Sequence, residues 1–302
     1  MISRFTIGLD IGGTRIKAGI VDETGRLSNE KNVSSSLENG YQDVISQIKR
    51  LVDELRGKCQ EKPLGVGLAV AGLMDAQQQV VVDSPNCGVL IGHKLAEDVE
   101  SATGLRTVMD NDANAMALGE GLSGAAQGSR HYIAFTIGTG IGGAVVSDGR
   151  LIRGVDGGGC ELGHIPIDFE GPPCGCGSHG CIEAYIGRTG LRRYIEHNHP
   201  QFRNTGMKEL AQTASDGDED AQDVFYFLGK VLGIGSAGLV NIFNPELIII
   251  GGGVANAWNL FIEPLTEELH HRAFASYLGS LEIRPARLGN WAGVVGVTAL
   301  LR

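Results

Sequence analysis

The sequence has little positive charge, few aromatic side chains and no obvious run of apolar residues long enough to cross a bilayer. The least polar stretch, VLGIGSAGLV at 231–240, is half the roughly 20 residues a span needs and is closed by Asn241. The N-terminal MISRFTIGLDIGG meets a charge at Asp10 too early for the apolar region of a signal peptide. A cytoplasmic protein with no membrane partner is therefore expected. Lys and Arg total 25 against 35 Asp and Glu, a formal net charge of −10. No basic stripe is present to neutralise phosphates, so small molecules rather than nucleic acid are the expected partners. The chain also lacks a C-x-x-C pair and a G-x-x-x-x-G-K-[ST] loop, which argues against a thiol redox enzyme and a P-loop enzyme. Of the six cysteines, Cys59, Cys87 and Cys160 read as free thiols in a reducing compartment.

What is present is enzyme-sized: 302 residues, 42% hydrophobic, enough for one large or two smaller cores. Residues 4–34 read as strands broken by glycine turns, a β-meander. Helical spacing of Val44, Ile45, Ile48, Leu51, Val52 and Leu55 predicts a helix over 41–56, followed by a buried strand at 64–72. A second helix starts at Asn111, and a second glycine-punctuated hairpin spans 131–154. The strand, turn, strand pattern of residues 4–21 thus returns, and the chain reads as two related halves. A long helical stretch is expected over 183–243, then a strand at 247–254, a helix near 257–273, a strand around LEIRPA and a small-residue helix in AGVVGVTALLR. No low-complexity linker separates the halves, so a rigid cleft with a hinge is expected.

DIGGT (Asp10–Thr14) and GTGIGG (Gly138–Gly143) both fall at hairpin turns. Glycines there let successive N–H groups converge into an anion nest for phosphate oxygens. Thr14 and Thr139 add hydroxyls, and Asp10 is placed to hold a hydrated Mg²⁺. Each turn alone is equally well an ordinary tight turn; two in matching hairpins favour phosphate. The second also fits G-x-G-x-x-G, but a strand follows it where a dinucleotide fold needs a helix. In MDNDANA, Asn111 and Asp112 stand at a helix mouth. One is a candidate N-cap; alternatively Asp112 is a general base for a hydroxyl attacking a γ-phosphate, with Asn111 bonding substrate.

Cys174, Cys176 and Cys181 lie within eight positions, with His164 upstream and His179 inside the loop. Three thiolates and one imidazole make a closed tetrahedral Zn²⁺ site, structural rather than catalytic. Spacing leaves either histidine as the fourth ligand. Gly251–Gly253 end a strand at a helix start, where flat backbone can face an adenine or ribose or simply turn. Asn86 sits in a Pro turn.

Together DIGGT, PN at 85–86, NDANA, GTGIGG, ELGH, CGCGSHGCIE and NPELIIIGGGV resemble the ROK family of sugar kinases and repressors over the whole chain. The resemblance implies an α/β, two-domain actin-like ATPase (ribonuclease H-like, hexokinase-like) fold with an interdomain cleft. A small domain would span 1–115, completed by the C-terminal helix 291–302, and a large domain with the zinc loop 116–290. It implies an ATP-dependent kinase acting on the 6-hydroxyl of a hexose, glucose first, with Asp112 catalytic. Asn86, Asn111, Asp112, Glu161, His164 and Glu183 would ring the sugar. Asp10, Gly12, Gly13, Thr14, Arg15, Gly138, Thr139, Gly140, Gly142 and Gly251, Gly252, Gly253 would serve Mg²⁺-ATP. His164, Cys174, Cys176 and Cys181 would hold structural Zn²⁺, which selects His164 over His179, and the zinc would organise sugar recognition without touching phosphate.

Two positions depart from the family: Arg15 stands where Lys is usual, and PNCGVLIG lacks a Pro-Gly-Trp-like continuation. The second departure keeps N-acetylglucosamine, N-acetylmannosamine and fructose kinases as alternatives to a glucokinase. Family repressors carry a helix-turn-helix module ahead of the first phosphate loop, and a first strand starting at about residue 4 leaves it no room, so a sugar-sensing regulator is less expected. The likeness also implies a homodimer or larger homo-oligomer.

Overall fold

The computed structural model describes residues 4–59 and 61–302. Strands β1 (Phe5–Ile11), β2 (Arg15–Asp22) and β3 (Leu27–Ser34) form the expected antiparallel meander. Helix α1 (Tyr41–Arg56) then leads to β4 (Val66–Val70), a small ribbon of β5 (Leu73–Met74) and β6 (Val81–Asp83), helix α2 (Leu95–Thr103) and β7 (Thr107–Asn111). The sheet order is β3-β2-β1-β4-β7, with β1, β4 and β7 mutually parallel. Helix α3 (Asp112–Ser123) follows directly.

The pattern then repeats. Strands β8 (Tyr132–Ile137), β9 (Ile141–Ser147) and β10 (Arg150–Leu151) precede α4 (Ile182–Ile186), α5 (Arg188–Asn198), α6 (Met207–Ser215) and α7 (Glu219–Phe243). Strand β11 (Leu247–Gly251), helices α8 (Trp258–Arg272) and α9 (Ala275–Leu278) and strand β12 (Glu282–Pro285) complete it, and α10 (Ala292–Gly296) ends the chain with a 3-10 turn at Val297–Leu301. The second sheet runs β10-β9-β8-β11-β12, again with the last three parallel. Position by position this is the order of the first sheet, as the echoed motifs predict. The middle parallel strands β4 and β11 are buried at every residue, as expected of strands covered on both faces.

The chain divides into two compact units. One comprises Met1–Ser129, Ala144–Cys160 and Ala286–Arg302; the other comprises Arg130–Gly143 and Glu161–Pro285. Helix α3 lies whole within the first, whereas a boundary at 115 would cut it. In the first unit Val44, Ile48, Leu51, Val52 and Leu55 of α1 are buried with the apolar residues of β1 and β4, and Ile45 is only partly covered. The C-terminal residues dock here through close backbone approach: a Cβ on Gly296 would lie 1.6 Å from the Ala115 carbonyl oxygen of α3. The fully buried carboxylate of Glu120 fixes the preceding segment, accepting N–H bonds from Ala125 (2.6 Å), Arg287 (3.0 Å) and Leu288 (2.8 Å).

The stretch 183–243 is helical, as expected, and divides into four α-helices with breaks at Gly187, at His199–Pro200, at Gly206 and at Gly217, the last in the left-handed region that favours glycine (φ 101°). Two expectations are corrected. The tail makes only one turn of α-helix before tightening to 3-10. The apolar stretch 231–240 belongs to α7, 25 residues long and apolar enough by length and composition to cross a membrane; it is mostly buried and packs on α8, α6 and α4 within the second unit.

Candidate active site

The turn between β1 and β2 is closed by backbone. The Gly12 N–H donates to the Arg15 carbonyl (3.0 Å), and the Ser35 hydroxyl donates to the Gly13 carbonyl (3.0 Å). Gly13 lies against the backbone of Asn86, where a Cβ would come within 2.8 Å of the Asn86 carbonyl oxygen. This brings the first glycine turn and the exposed Asn86 loop together. Thr14 is exposed at the tip. Arg15 is turned aside: its guanidinium is bonded to Asn32, through the side-chain Oδ1 (2.5 Å) and the carbonyl (2.9 Å), so its charge sits on β3. Asp10, at the end of β1, pairs with Lys17 (3.1 Å) and is half-buried.

Strand β7 delivers Asn111 and Asp112 to the start of α3. Asn111 is the N-cap: its Oδ1 accepts the N–H groups of Ala113 (2.8 Å) and Asn114 (3.2 Å), which satisfies two of the helix's orphan donors. Its Nδ2 donates to the Gly72 carbonyl (2.9 Å), so one amide hydrogen remains for a ligand. Asp112 occupies the first helical position, where the helix dipole favours its ionised form, and its Oδ1 lies 3.1 Å from the Ala113 N–H. Burial pushes the neighbouring Cys87 thiol up, and the charges of Asp112 and Asp10 add to this while Ser84 opposes it. Asp10, Cys87 and Asp112 thus share one neighbourhood.

Behind them lies a pair that sequence reading passed over. Asp110 is fully buried; it accepts bonds from the Asn111 N–H (2.8 Å) and Asn114 Nδ2 (2.9 Å) and takes Arg153 in a two-pronged pair (2.9 and 2.5 Å). A buried carboxylate persists only when paired and fully bonded. The available signal was the extra acid in MDNDANA and the single Arg in IRGVDGGG.

In the second unit, the turn between β8 and β9 is held partly from outside itself. The Gly138 N–H donates to the Gly140 carbonyl (3.0 Å), the Thr139 carbonyl accepts the Arg188 N–H (3.1 Å), and the Ile141 N–H donates to Glu183 Oε2 (2.7 Å). Gly142 continues into β9. Gly251 pairs with Thr136 of β8, and Gly252 lies against the backbone of Ile137, so the Gly251–Gly253 segment flanks the strand that leads into this turn.

The ligand atoms of His164, Cys174, Cys176 and Cys181 all lie within 4.8 Å of one another. His164 Nδ1 is 3.4 Å from Cys174 Sγ, and Cys176 Sγ is 3.8 Å from Cys181 Sγ. Tetrahedral zinc would set sulfurs about 3.8 Å apart and sulfur and nitrogen about 3.6 Å apart. The donor set therefore fits that ion; His179 is on the exposed part of the loop and outside the group. Burial and then the neighbouring thiols push Cys181 up to about 12, while the Ser178 N–H draws Cys176 down. Bound together as thiolates, the three would need a cation between them, the charge a zinc ion supplies.

Cys181 immediately precedes α4, so Glu183 lies on the first turn after the last thiol. Its Oε1 is 4.0 Å from His164 Nε2. Glu161 is close enough to feel both: desolvation raises its carboxyl, Glu183 adds to this and His164 opposes it, although the residue as a whole is exposed. Glu161, His164 and Glu183 therefore come together, as do Asn86, Asn111 and Asp112 in the first unit. Glu183 also touches the second glycine turn, through the Ile141 N–H.

A sequence model of the ROK family matches residues 6–302. The chain belongs to the ROK family. Among ROK relatives it is 34% identical to a glucokinase of Thermotoga maritima, over 98% of this chain and 96% of that one. A ROK hexokinase of Thermus thermophilus superposes with a TM-score of 0.84 at 33% identity, covering 97% of this chain and 96% of that one. A ROK glucokinase of Streptomyces griseus, solved with glucose and AMPPNP, superposes with a TM-score of 0.82 at 33% identity over 98% of both chains. The duplicated sheets are accordingly the actin-like ATPase fold of the ROK sugar kinases.

Proposed function

We propose that this chain is an ATP-dependent hexose kinase that phosphorylates the 6-hydroxyl of glucose. The observation that carries this reading is the whole-length likeness to glucokinases, one of them solved with glucose and AMPPNP. In this reading Asp112 accepts the proton of the attacking hydroxyl, a task suited to an ionised carboxylate at a helix start. Asn86 and Asn111 bond the sugar, Asn111 through its remaining amide hydrogen, and Glu161, His164 and Glu183 read further hydroxyls. The two glycine turns take the phosphates, with Thr14 and Thr139 donating, and Gly251–Gly253 face the adenosine. Asp10 would hold hydrated Mg²⁺, which neutralises phosphate charge, in place of its present partner Lys17, 3.1 Å away.

His164, Cys174, Cys176 and Cys181 would hold zinc, which supplies a fixed cross-link rather than a reacting centre. With Nδ1 facing the thiols, His164 keeps Nε2 for the sugar side, an arrangement that fixes its tautomer. A homodimer or larger homo-oligomer is part of the same proposal, and sedimentation at a monomer's mass would overturn it. The decisive experiment is kcat/KM with ATP across glucose, mannose, fructose, N-acetylglucosamine and N-acetylmannosamine. Glucose should lead; a clear lead for an N-acetylhexosamine or fructose would replace the substrate, and no sugar-dependent ADP release would overturn the reaction.

A further inference from the structure

Glu183 is engaged by two features that lie far apart along the chain. One carboxylate oxygen takes the Ile141 N–H, 42 residues away, at 2.7 Å. The other lies 4.0 Å from Nε2 of His164, whose Nδ1 belongs to the cysteine cluster. The fit against the turn is tight: a Cβ on Gly140 would be 2.6 Å from Glu183 Oε2. A second tie runs alongside, from the Arg188 N–H to the Thr139 carbonyl. Both ties come from the short segment that starts at Cys181, the last thiol of the cluster. A cavity of about 240 Å³ beside them shows the same adjacency, since Thr139, Cys174, Glu183 and Arg188 all line it.

We infer that Glu183 is a positioning residue that couples the Cys/His cluster to the second glycine turn, so that metal occupancy sets nucleotide affinity as well as sugar recognition. The inference rests on the kinase reading above and deepens it. Its physical basis is simple. A bond from N–H to a carboxylate is charge-assisted and about twice as strong as a neutral one. The metal would fix the start of α4, and α4 fixes the carboxylate. Releasing the thiols frees that anchor, and the turn loses the acceptor that orients its backbone.

The test uses nucleotide binding rather than turnover. Zinc-loaded protein and protein stripped with EDTA, then desalted and returned to Mg²⁺, are compared for AMPPNP affinity without sugar. Amide exchange of the peptide carrying Ile141 is followed in parallel. Stripping should weaken AMPPNP by ~10-fold, the loss of roughly one charge-assisted bond, and should speed exchange at Ile141 while the buried β4 stays protected. Glu183→Ala in zinc-loaded protein should reproduce both effects. Glu183→Gln, whose amide oxygen still accepts the Ile141 N–H, should recover most of the affinity. If the stripped protein unfolds, the two Glu183 variants decide alone. Equal AMPPNP binding by loaded wild type and Glu183→Ala would overturn the coupling and leave the kinase reading standing. Failure of the loaded wild type to bind AMPPNP would overturn the kinase reading, and the coupling with it.

Discussion

The two glycine turns occupy equivalent places, between the first two strands of sheets with one shared order, yet they are held by different means. The first is closed by neighbouring backbone and one serine: Gly12 to Arg15, Gly13 against Asn86, Ser35 to Gly13. The second leans on carboxylates. Glu246 takes the N–H groups of Arg130 (2.5 Å) and His131 (2.9 Å) just before β8, and Glu183 takes that of Ile141 just past the turn. Backbone packing makes a turn rigid but inert to its surroundings. A carboxylate with other partners makes it responsive to them. The two equivalent glycine turns of the doubled fold are in this way one fixed and one adjustable.

The largest expected break in the comparison is chemical. Strand β7 runs into Asn111 and Asp112, whereas its counterpart β12 runs into Ala286 and Arg287, with no acid at the matching place. Asp112→Asn should therefore lower kcat at least ~10²-fold, the low end for a general base; near-normal turnover would remove Asp112 from that role. Next is the buried pair behind Asp112. Arg153→Ala should cost about 3 kcal/mol or more of unfolding free energy, because it strands the charge of Asp110, and Arg153→Lys should cost less. An unchanged denaturation midpoint would mean that Asp110 finds another partner.

A matched pair of substitutions sharpens the contrast between the turns themselves. A methyl group on Gly13 meets backbone, which cannot move aside, so Gly13→Ala should destabilise by about 1–3 kcal/mol. On Gly140 it meets the movable carboxylate of Glu183, so Gly140→Ala should leave Tm nearly unchanged while raising the KM for ATP. Equal losses of Tm would erase the distinction. The smallest effect is one of pH. The N–H groups of His131 and Arg130 hold the Glu246 carboxyl below its ordinary range. Its contribution is thus present above the normal carboxylate pKa and lost as pH falls through the lowered value. Glu246→Gln should slightly flatten the acid limb of a stability profile, an effect small because the group is exposed; a profile identical to wild type would show the bonds contribute nothing.

Elements with strong periodicity or turn signals were legible in the sequence. The meander, α1 and the second hairpin follow from alternation, helical spacing and glycine turns, and the doubled strand, turn, strand pattern foretold the doubled sheet order. The segment 183–243 was not legible as four helices, because its breaks lie at residues that also occur within helices, and only the ladder shows where the chain stops. Helix α2 and strand β7 escaped because they are short and their apolar residues are few. At the site, residue types and spacing brought the thiols together but left His164 and His179 open; folding places His164 with them. The bonds of Arg15 to Asn32 were not legible either, since a long side chain's direction is set by neighbours from other strands. Asp110 with Arg153, and Glu120 with Arg287 and Leu288, pair across long stretches of chain, so residue types alone do not say which acid meets which partner.

The multiple engagements of Glu183 also bear on how this enzyme can change over generations. A residue that faces the cysteine cluster and holds the second glycine turn, and that reads sugar in the proposed function, is pleiotropic, so a substitution there alters several traits at once and is open to purging. The loop from Pro85 to Gly92 is constrained at fewer places: Cys87 and Leu90 are buried and Gly92 takes a left-handed backbone (φ 80°), but Gly88 and Ile91 are exposed and a side chain added at Gly88 would meet nothing within 4 Å. New sugar preferences should accordingly arise by drift and selection in that loop, while Glu183 stays put.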